Sequence, residues 1–316
     1  MLGIACWGIG MTDAVGSGVT PPRYIEPNAV YAITRRVEGR RFLLRPDGAL
    51  NDLVRYYLAL FAQRHGVKIH VMVVMSTHFH MVASVPDENV SEFMHDLDLL
   101  LSIDVKRLRT RAIGVTWEPG GLSIIQLHGD EAVEKAIAYA IANPVASGLV
   151  WRPEDWPGVT ASVEELGEKE LAGSRPRGRS PAYWPARASI RLTWPECLAD
   201  DVEGARERIG TRVEVLVEAA RAEAKRKGWR IMSRVEACNV SPYRVARTEE
   251  EPGGLRPQVM ASSREERIAA LRRLKTFRAR HAECKERWCA GDRSVVFPAG
   301  TYWMKKHHAA ACEPFP

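Results

Sequence analysis

The chain has 316 residues, more than one ordinary domain, so a full domain plus a second unit or long appendage is expected. Hydrophobic residues make up 46% and charged residues 27%, which excludes pervasive disorder; no run reaches the ~18 to 20 apolar residues of a membrane span, so no membrane partner is expected. Lys and Arg number 45 against 39 Asp and Glu, a net +6 that suits a polyanionic partner such as nucleic acid.

Residues 1–22 are Gly-rich and lack the positive n-region and cleavage site of a secretory signal, and are expected to form an unstructured leader. Residues 23–165 read as one α+β unit. Val30 to Thr34 alternates with period two as a strand does, and Glu38-Gly39 reads as a hairpin-like turn toward Phe42-Leu43-Leu44. Asn51 is a candidate cap for a helix through Leu53, Tyr57, Leu60, Phe61 and Arg64, which Gly66 stops. Val67 to Val74 and His78 to Val85 are strands separated only by Met75-Ser76-Thr77, so they are expected to pair. Ser91 opens a helix through Leu97, Leu101 and Val105 that ends near Gly114, and Ser123 to Leu127 is a short strand. Asp130 begins a helix with Val133, Ile137 and Ile141 on its buried side, ended by Pro144. Strand, helix, strand, strand, helix, strand, helix is the ferredoxin-like split arrangement, an antiparallel sheet with one extra helix.

Residues 166–190, with the run Gly-Ser-Arg-Pro-Arg-Gly-Arg-Ser-Pro, read as a basic, Pro/Gly-rich linker. Residues 191–316 read as a mostly helical C-terminal region, with apolar stripes Ile209, Val213, Leu216 and Ile268, Leu271, Leu274 and a loop over Glu249 to Pro257. The six cysteines are scattered, which points to reduced thiols and a cytoplasmic setting. Cys284, Cys289, His307, His308 and Cys312 offer enough ligands for zinc, at a spacing that matches no known finger.

His78 and His80 stand two apart on a strand, about 6 to 7 Å apart along the chain, which puts both imidazoles on one face, where they can share a divalent metal. The pair also fits two half-exposed histidines on a strand edge, but the apolar runs on either side favour a central strand. Tyr139 and Asn143 lie one helical turn apart and can address one site: a hydroxyl that can attack phosphorus and an amide for metal or phosphate. A purely structural reading, with Tyr139 packed and Asn143 capping the helix, stays open on these residues alone.

The run Val73-Val74-Met75-Ser76-Thr77-His78-Phe79-His80, followed about sixty residues later by Tyr139, Asn143-Pro144-Val145-Ala146-Ser147-Gly148-Leu149-Val150 and Trp156, resembles the REP-associated tyrosine transposases. These belong to the HUH single-tyrosine transposases of small insertion sequences, and the resemblance covers roughly Pro21 to Val163. It implies a ferredoxin-like HUH catalytic domain in which His78 and His80 are the metal-binding pair, Phe79 is the bulky residue between them, Tyr139 is the nucleophile and Asn143 is a third metal ligand. It further implies Mg²⁺ or Mn²⁺ and a transposase that cleaves and rejoins single-strand DNA through a covalent 5′-phosphotyrosine at hairpin-forming repeats. The implied partners are single-stranded or hairpin DNA, with a homodimer allowed and a nucleoid-associated location. Two departures stand out: Thr77 where many relatives have Asn, and Ala146-Ser147 in place of an Arg-Ala pair. Arg35, Arg36, Arg40, Arg41, Lys106, Arg107 and Arg109 are candidate DNA contacts, each also readable as solvated surface. Two other functions fit the residues: a domesticated, non-catalytic hairpin-binding protein, and a metal hydrolase whose histidines activate water while Tyr139 is structural.

Overall fold

A computed structural model describes residues 21–109, 114–246 and 257–315. In chain order the elements are β1 (Val30–Val37), α1 (Gly48–His65), β2 (Lys68–Val74), β3 (His78–Ser84), α2 (Val90–Arg109), β4 (Trp117–His128) and α3 (Asp130–Ala146). There follow β5 (Glu170–Ser174), β6 (Arg187–Arg191), α4 (Val202–Arg226), α5 (Arg234–Asn239), β7 (Val259–Ala261), α6 (Arg264–Cys289), β8 (Val296–Phe297), α7 (Tyr302–His308) and β9 (Ala311–Cys312). The class is α+β: among the described residues, seven α-helices surround a mostly antiparallel sheet with strand order β2-β3-β1-β4-β7. No helix among them is long and apolar enough to cross a membrane.

β2 and β3 pair antiparallel as their short connection requires, with Met72 opposite Met81 and Val74 opposite Phe79. β1 lies between β3 and β4. With both its edges taken, Phe42-Leu43-Leu44 has no strand to pair with, so the hairpin expected at Glu38-Gly39 does not form. Instead Glu38–Arg40 makes a short 3-10 turn with Gly39 at φ 61°. Phe42 N–H then bonds Arg244 O at 2.9 Å and Leu44 N–H bonds Ser76 O at 3.0 Å. The cap of α1 is Asp47, whose carboxylate accepts the Leu50 N–H at 2.8 Å, while the Asn51 amide donates to Pro157 O at 2.8 Å. Gly66 ends the helix in the left-handed region, at φ 66°.

β4 runs from Trp117, well before the Ser123 expected, because Gly120-Gly121 breaks the alternation without breaking the strand; the register shifts opposite Arg35 and Val37. α2 is helical to Arg109; the rest of its expected course to Gly114 includes residues 110–113, outside the described set. Pro144 does not end α3. It forfeits one backbone bond inside the helix, and the last turn closes beyond it through Ser147 N–H to Asn143 O at 2.9 Å before Gly148 turns the chain at φ 67°.

The stretch expected as a linker over 166–190 folds back instead. β5 and β6 pair antiparallel, from Glu170 opposite Arg191 to Ser174 opposite Arg187. This hairpin covers α1: Tyr56 donates to Pro185 O at 2.8 Å and Arg55 Nε to Ala172 O at 2.9 Å. Arg179 on its loop reaches the buried Asp104 at 2.9 Å and lies over the Tyr57 and Trp184 rings. Basic and Pro/Gly-rich composition signalled a spacer, but each of these arginines that reaches inward has a carbonyl, carboxylate or ring to meet.

The region after residue 191 is mostly helical, and α4 packs on the outer side of α3. Ile209, Val213 and Val217 join the same apolar core as the sheet, and the buried Glu134 takes Arg208 Nε at 2.7 Å and Arg212 Nε at 3.5 Å. In α6 the buried positions are Ala270, Leu274, Phe277 and His281, whereas Ile268 and Leu271 of the expected stripe face solvent. The loop expected over Glu249 to Pro257 and residues 1–20 of the expected leader lie outside the described residues, Pro257 apart. β7 adds a parallel strand to the end of β4, Gln126 opposite Val259. Just beyond it Ser262 Oγ accepts the Ala132 N–H at 3.0 Å and so caps α3, whose own N-cap residue, Gly129, has no side chain. A Cβ on Gly129 would stand 2.5 Å from that Oγ, and its φ of 79° disfavours any other residue.

Candidate active site

The site lies on the sheet face covered by α3. Thr34 is opposite His80 and Arg36 opposite His78 in the β1–β3 ladder, so the period of two puts all four side chains on one face. Arg35 and Phe79 point to the other face, where Phe79 is buried edge-on to Trp117 at 5.9 Å. The central position expected for the His-x-His strand is therefore observed. The two imidazoles lie 4.7 Å apart between centroids at 89°.

Each ring has its Nδ1 against a threonine hydroxyl: Thr77 Oγ1 at 2.8 Å from His78 and Thr34 Oγ1 at 2.9 Å from His80. A hydroxyl that accepts from Nδ1–H leaves Nε2 with its lone pair, which is the tautomer a metal ligand needs. Thr77 therefore does at His78 what a polar residue there must do. Thr34 was not singled out from the sequence; only its register against His80 reveals it. Burial, the neighbouring His80, and the cations of Arg36 and Arg40 hold the His78 pKa well below its ordinary value. Burial and Arg36 hold His80 down at about 4. Both rings are neutral near neutral pH.

α3 is apolar almost all round and buried between sheet and α4, yet Tyr139 is 45% exposed. Its ring stands edge-on to His80 at 5.3 Å and 85°. One turn on, Asn143 is buried and its side chain does not cap the helix: Nδ2 is 3.1 Å from His80 Nε2, and Oδ1 accepts from Ser147 Oγ at 3.0 Å. Ser147 is a second residue the sequence did not mark for the site. His78, His80, Tyr139 and Asn143 are thus brought together.

The basic candidates are divided. Arg36 and Arg40 sit beside the histidines and depress His78. Arg41 donates to Glu38 O at 3.0 Å and to Val115 O at 2.9 Å. Arg35 turns to the opposite face, where Nε holds Asp98 at 2.7 Å and the guanidinium lies over Trp117. Asp98 shows α2 to be on that far side, and with it the exposed Lys106 and Arg107, the latter paired with Asp104 at 2.7 Å. Arg109 is buried and donates to Leu43 O, Arg45 O and Asp47. Among the described residues, no three of His, Cys, Asp and Glu converge to hold a metal, which includes the set Cys284, Cys289, His307, His308 and Cys312. Cys284 bonds Val296 O at 3.4 Å and His307 stacks on Trp303 at 3.9 Å.

No protein family's sequence profile matches the chain, and no curated protein matches it. Solved structures match weakly. A REP-associated tyrosine transposase bound to a REP hairpin is 17% identical over 46% of this chain and 84% of that one, with a TM-score of 0.40. A candidate transposase from Deinococcus radiodurans R1 is 17% identical over 36% of this chain and 85% of that one, with a TM-score of 0.27. Likenesses of this size carry no functional argument.

Proposed function

We propose that this chain is a transposase-type enzyme that cuts and rejoins single-stranded DNA, including hairpin-forming DNA, with Tyr139 as nucleophile. One observation carries the reading: an exposed tyrosine stands edge-on to one of two neutral histidines whose Nδ1 atoms are both engaged by threonines. The strand order β2-β3-β1-β4 supports a ferredoxin-like HUH domain, since it is the order the split arrangement requires.

The donor set fits a divalent cation. His78 and His80 would hold it through Nε2, and Asn143 through Oδ1 once its amide is turned by half a rotation; Ser147 Oγ, able to accept as well as donate, keeps its bond in either orientation. Imidazole ligands favour Mn²⁺ over Mg²⁺, and both are compatible with the set. When bound, the cation would neutralise charge on the phosphoryl oxygens of the scissile diester. The rest falls to the chain. Arg36 and Arg40 add positive charge where the phosphate would sit. The Tyr139 oxygen forms a bond to phosphorus as the bond to the 3′ oxygen breaks; the phenolic proton passes to solvent water, and water returns a proton to the departing 3′ oxygen, so that the strand leaves as a 3′-hydroxyl. The phosphotyrosine conserves the diester's energy, so a second 3′-hydroxyl can reverse the step and join strands. The buried helix α3, backed by α4, fixes the position of Tyr139.

The test is incubation of wild type and Tyr139→Phe with a labelled pool of single-stranded hairpin oligonucleotides and Mn²⁺. Wild type is expected to give a protein–DNA adduct that survives denaturation, and the variant none. Cleavage by both without an adduct would identify a water-activating metal hydrolase. Cation-independent binding without cleavage would identify a non-catalytic hairpin binder.

A further inference from the structure

Residues 229–246 run from the end of α4 to the turn that follows β1, and hydrogen bonds fix this strap at both ends. Met232 N–H donates to Gly148 O at 3.0 Å, just past the last turn of α3. Phe42 N–H donates to Arg244 O at 2.9 Å and Ala246 N–H to Arg40 O at 3.1 Å, just past the end of β1. Between them Arg45 reaches Val240 O at 3.0 Å, and the Tyr243 hydroxyl donates to Arg109 O. The strap thus joins the end of the helix that carries Tyr139 to the turn whose Arg40 is felt at His78.

Its composition differs from the rest of the chain. Between 221 and 244 there are seven Lys and Arg against two Glu, an excess of five in a protein whose net charge is +6. Glu223 and Glu236 pair with some of these cations, but Lys225 to Arg230, Arg234 and Arg244 all stand exposed. Two large aromatic rings are left open at the same end: Trp151 is 55% exposed and Trp229 is 45% exposed. Lys227 Nζ lies 4.4 Å from the centre of the Trp229 ring, and Arg221 holds the Trp151 carbonyl through Nε at 3.0 Å and Nη2 at 2.8 Å. Open tryptophans whose backbone is hydrogen-bonded to the fold, among cations, are what a surface needs in order to stack bases and follow phosphates without reading sequence.

The geometry points to the strap, with Trp151, as the binding surface for the single strand that flanks the cleaved diester. This rests on the reading of the site as a single-strand nuclease. It also gives the region beyond residue 191 a direct part in substrate binding.

The test uses the full chain and two probes: a hairpin with an oligo-dT tail and the same hairpin without one. Trp151→Ala with Trp229→Ala is expected to weaken binding of the tailed hairpin by about tenfold or more and to leave the blunt hairpin and the melting temperature unchanged. Arg230→Gln with Arg234→Gln is expected to flatten the dependence of log affinity on log salt by about 0.7 for each phosphate no longer neutralised. Tail binding indifferent to both double variants would overturn the strap as the surface, even if the adduct at Tyr139 forms. Tail binding that depends on the tryptophans, with no adduct in wild type, would support the strap and sink the nucleophile instead.

Discussion

Replacing Thr34 with Val removes one oxygen from the central strand and keeps the shape. That oxygen lies 2.9 Å from His80 Nδ1, and its loss leaves a buried ring N–H without an acceptor whenever Nε2 is turned to a cation. An unsatisfied buried donor costs about 1–3 kcal/mol. Loss of such a partner behind a ligating histidine lowers metal affinity by about 10–100-fold, which spans a similar energy. Fold stability should barely move, because Val suits a half-buried strand position as well as Thr does. The assay is the Mn²⁺ concentration that gives half-maximal adduct, supported by calorimetric titration of Mn²⁺ into the protein. Thr34→Val is expected to raise that midpoint by about one to two orders of magnitude, and Thr34→Ser, which keeps the oxygen, to restore it. A Thr34→Val protein with the wild-type midpoint would refute the role given to this hydroxyl, and with it the account of how the imidazoles are oriented.

Three other outcomes follow from the fold. His70 is buried between Thr193 O and Ser84 Oγ, both at 2.8 Å, and burial holds its pKa at about 4 against 6.5 for an ordinary histidine. The unfolded chain therefore takes up the proton first as pH falls. Stability present above pH 6.5 is lost down to about 4, by about 3 kcal/mol at most; melting temperature against pH should be flatter in His70→Gln. Ser262→Ala uncaps α3 and should cost about 1 kcal/mol in urea denaturation. Arg179→Ala removes a cation from Asp104, which is 4% exposed, and should cost about 1–3 kcal/mol, with faster proteolysis of the β5–β6 loop.

Local pattern made much of the first half readable. β2 and β3 announce themselves by β-branched runs and a connection too short for anything but neighbours, and that fixes both histidines on a central strand. Gly66 marks the end of α1 because it takes a positive φ. What the pattern concealed depended on distant partners. Pro144 looks like a terminator until Asn143 and Ser147 are seen to close another turn around it. The 166–190 stretch looks like a spacer because nothing local shows that Asp104 and the rings of Tyr57 and Trp184 await Arg179. Arg35 and Arg36 are adjacent in sequence, but one pleat sends the first to Asp98 and the second toward the histidines. The cap of α3 is the extreme case: its hydroxyl belongs to Ser262, 130 residues after the Ala132 it serves.

The most direct measurement of the central claim is to digest the DNA-linked wild-type protein and find the residue that carries the nucleotide by mass spectrometry. A phosphodiester on the Tyr139 side chain is the expected result. A nucleotide on any other residue, or full strand cleavage with no modified peptide, would contradict it.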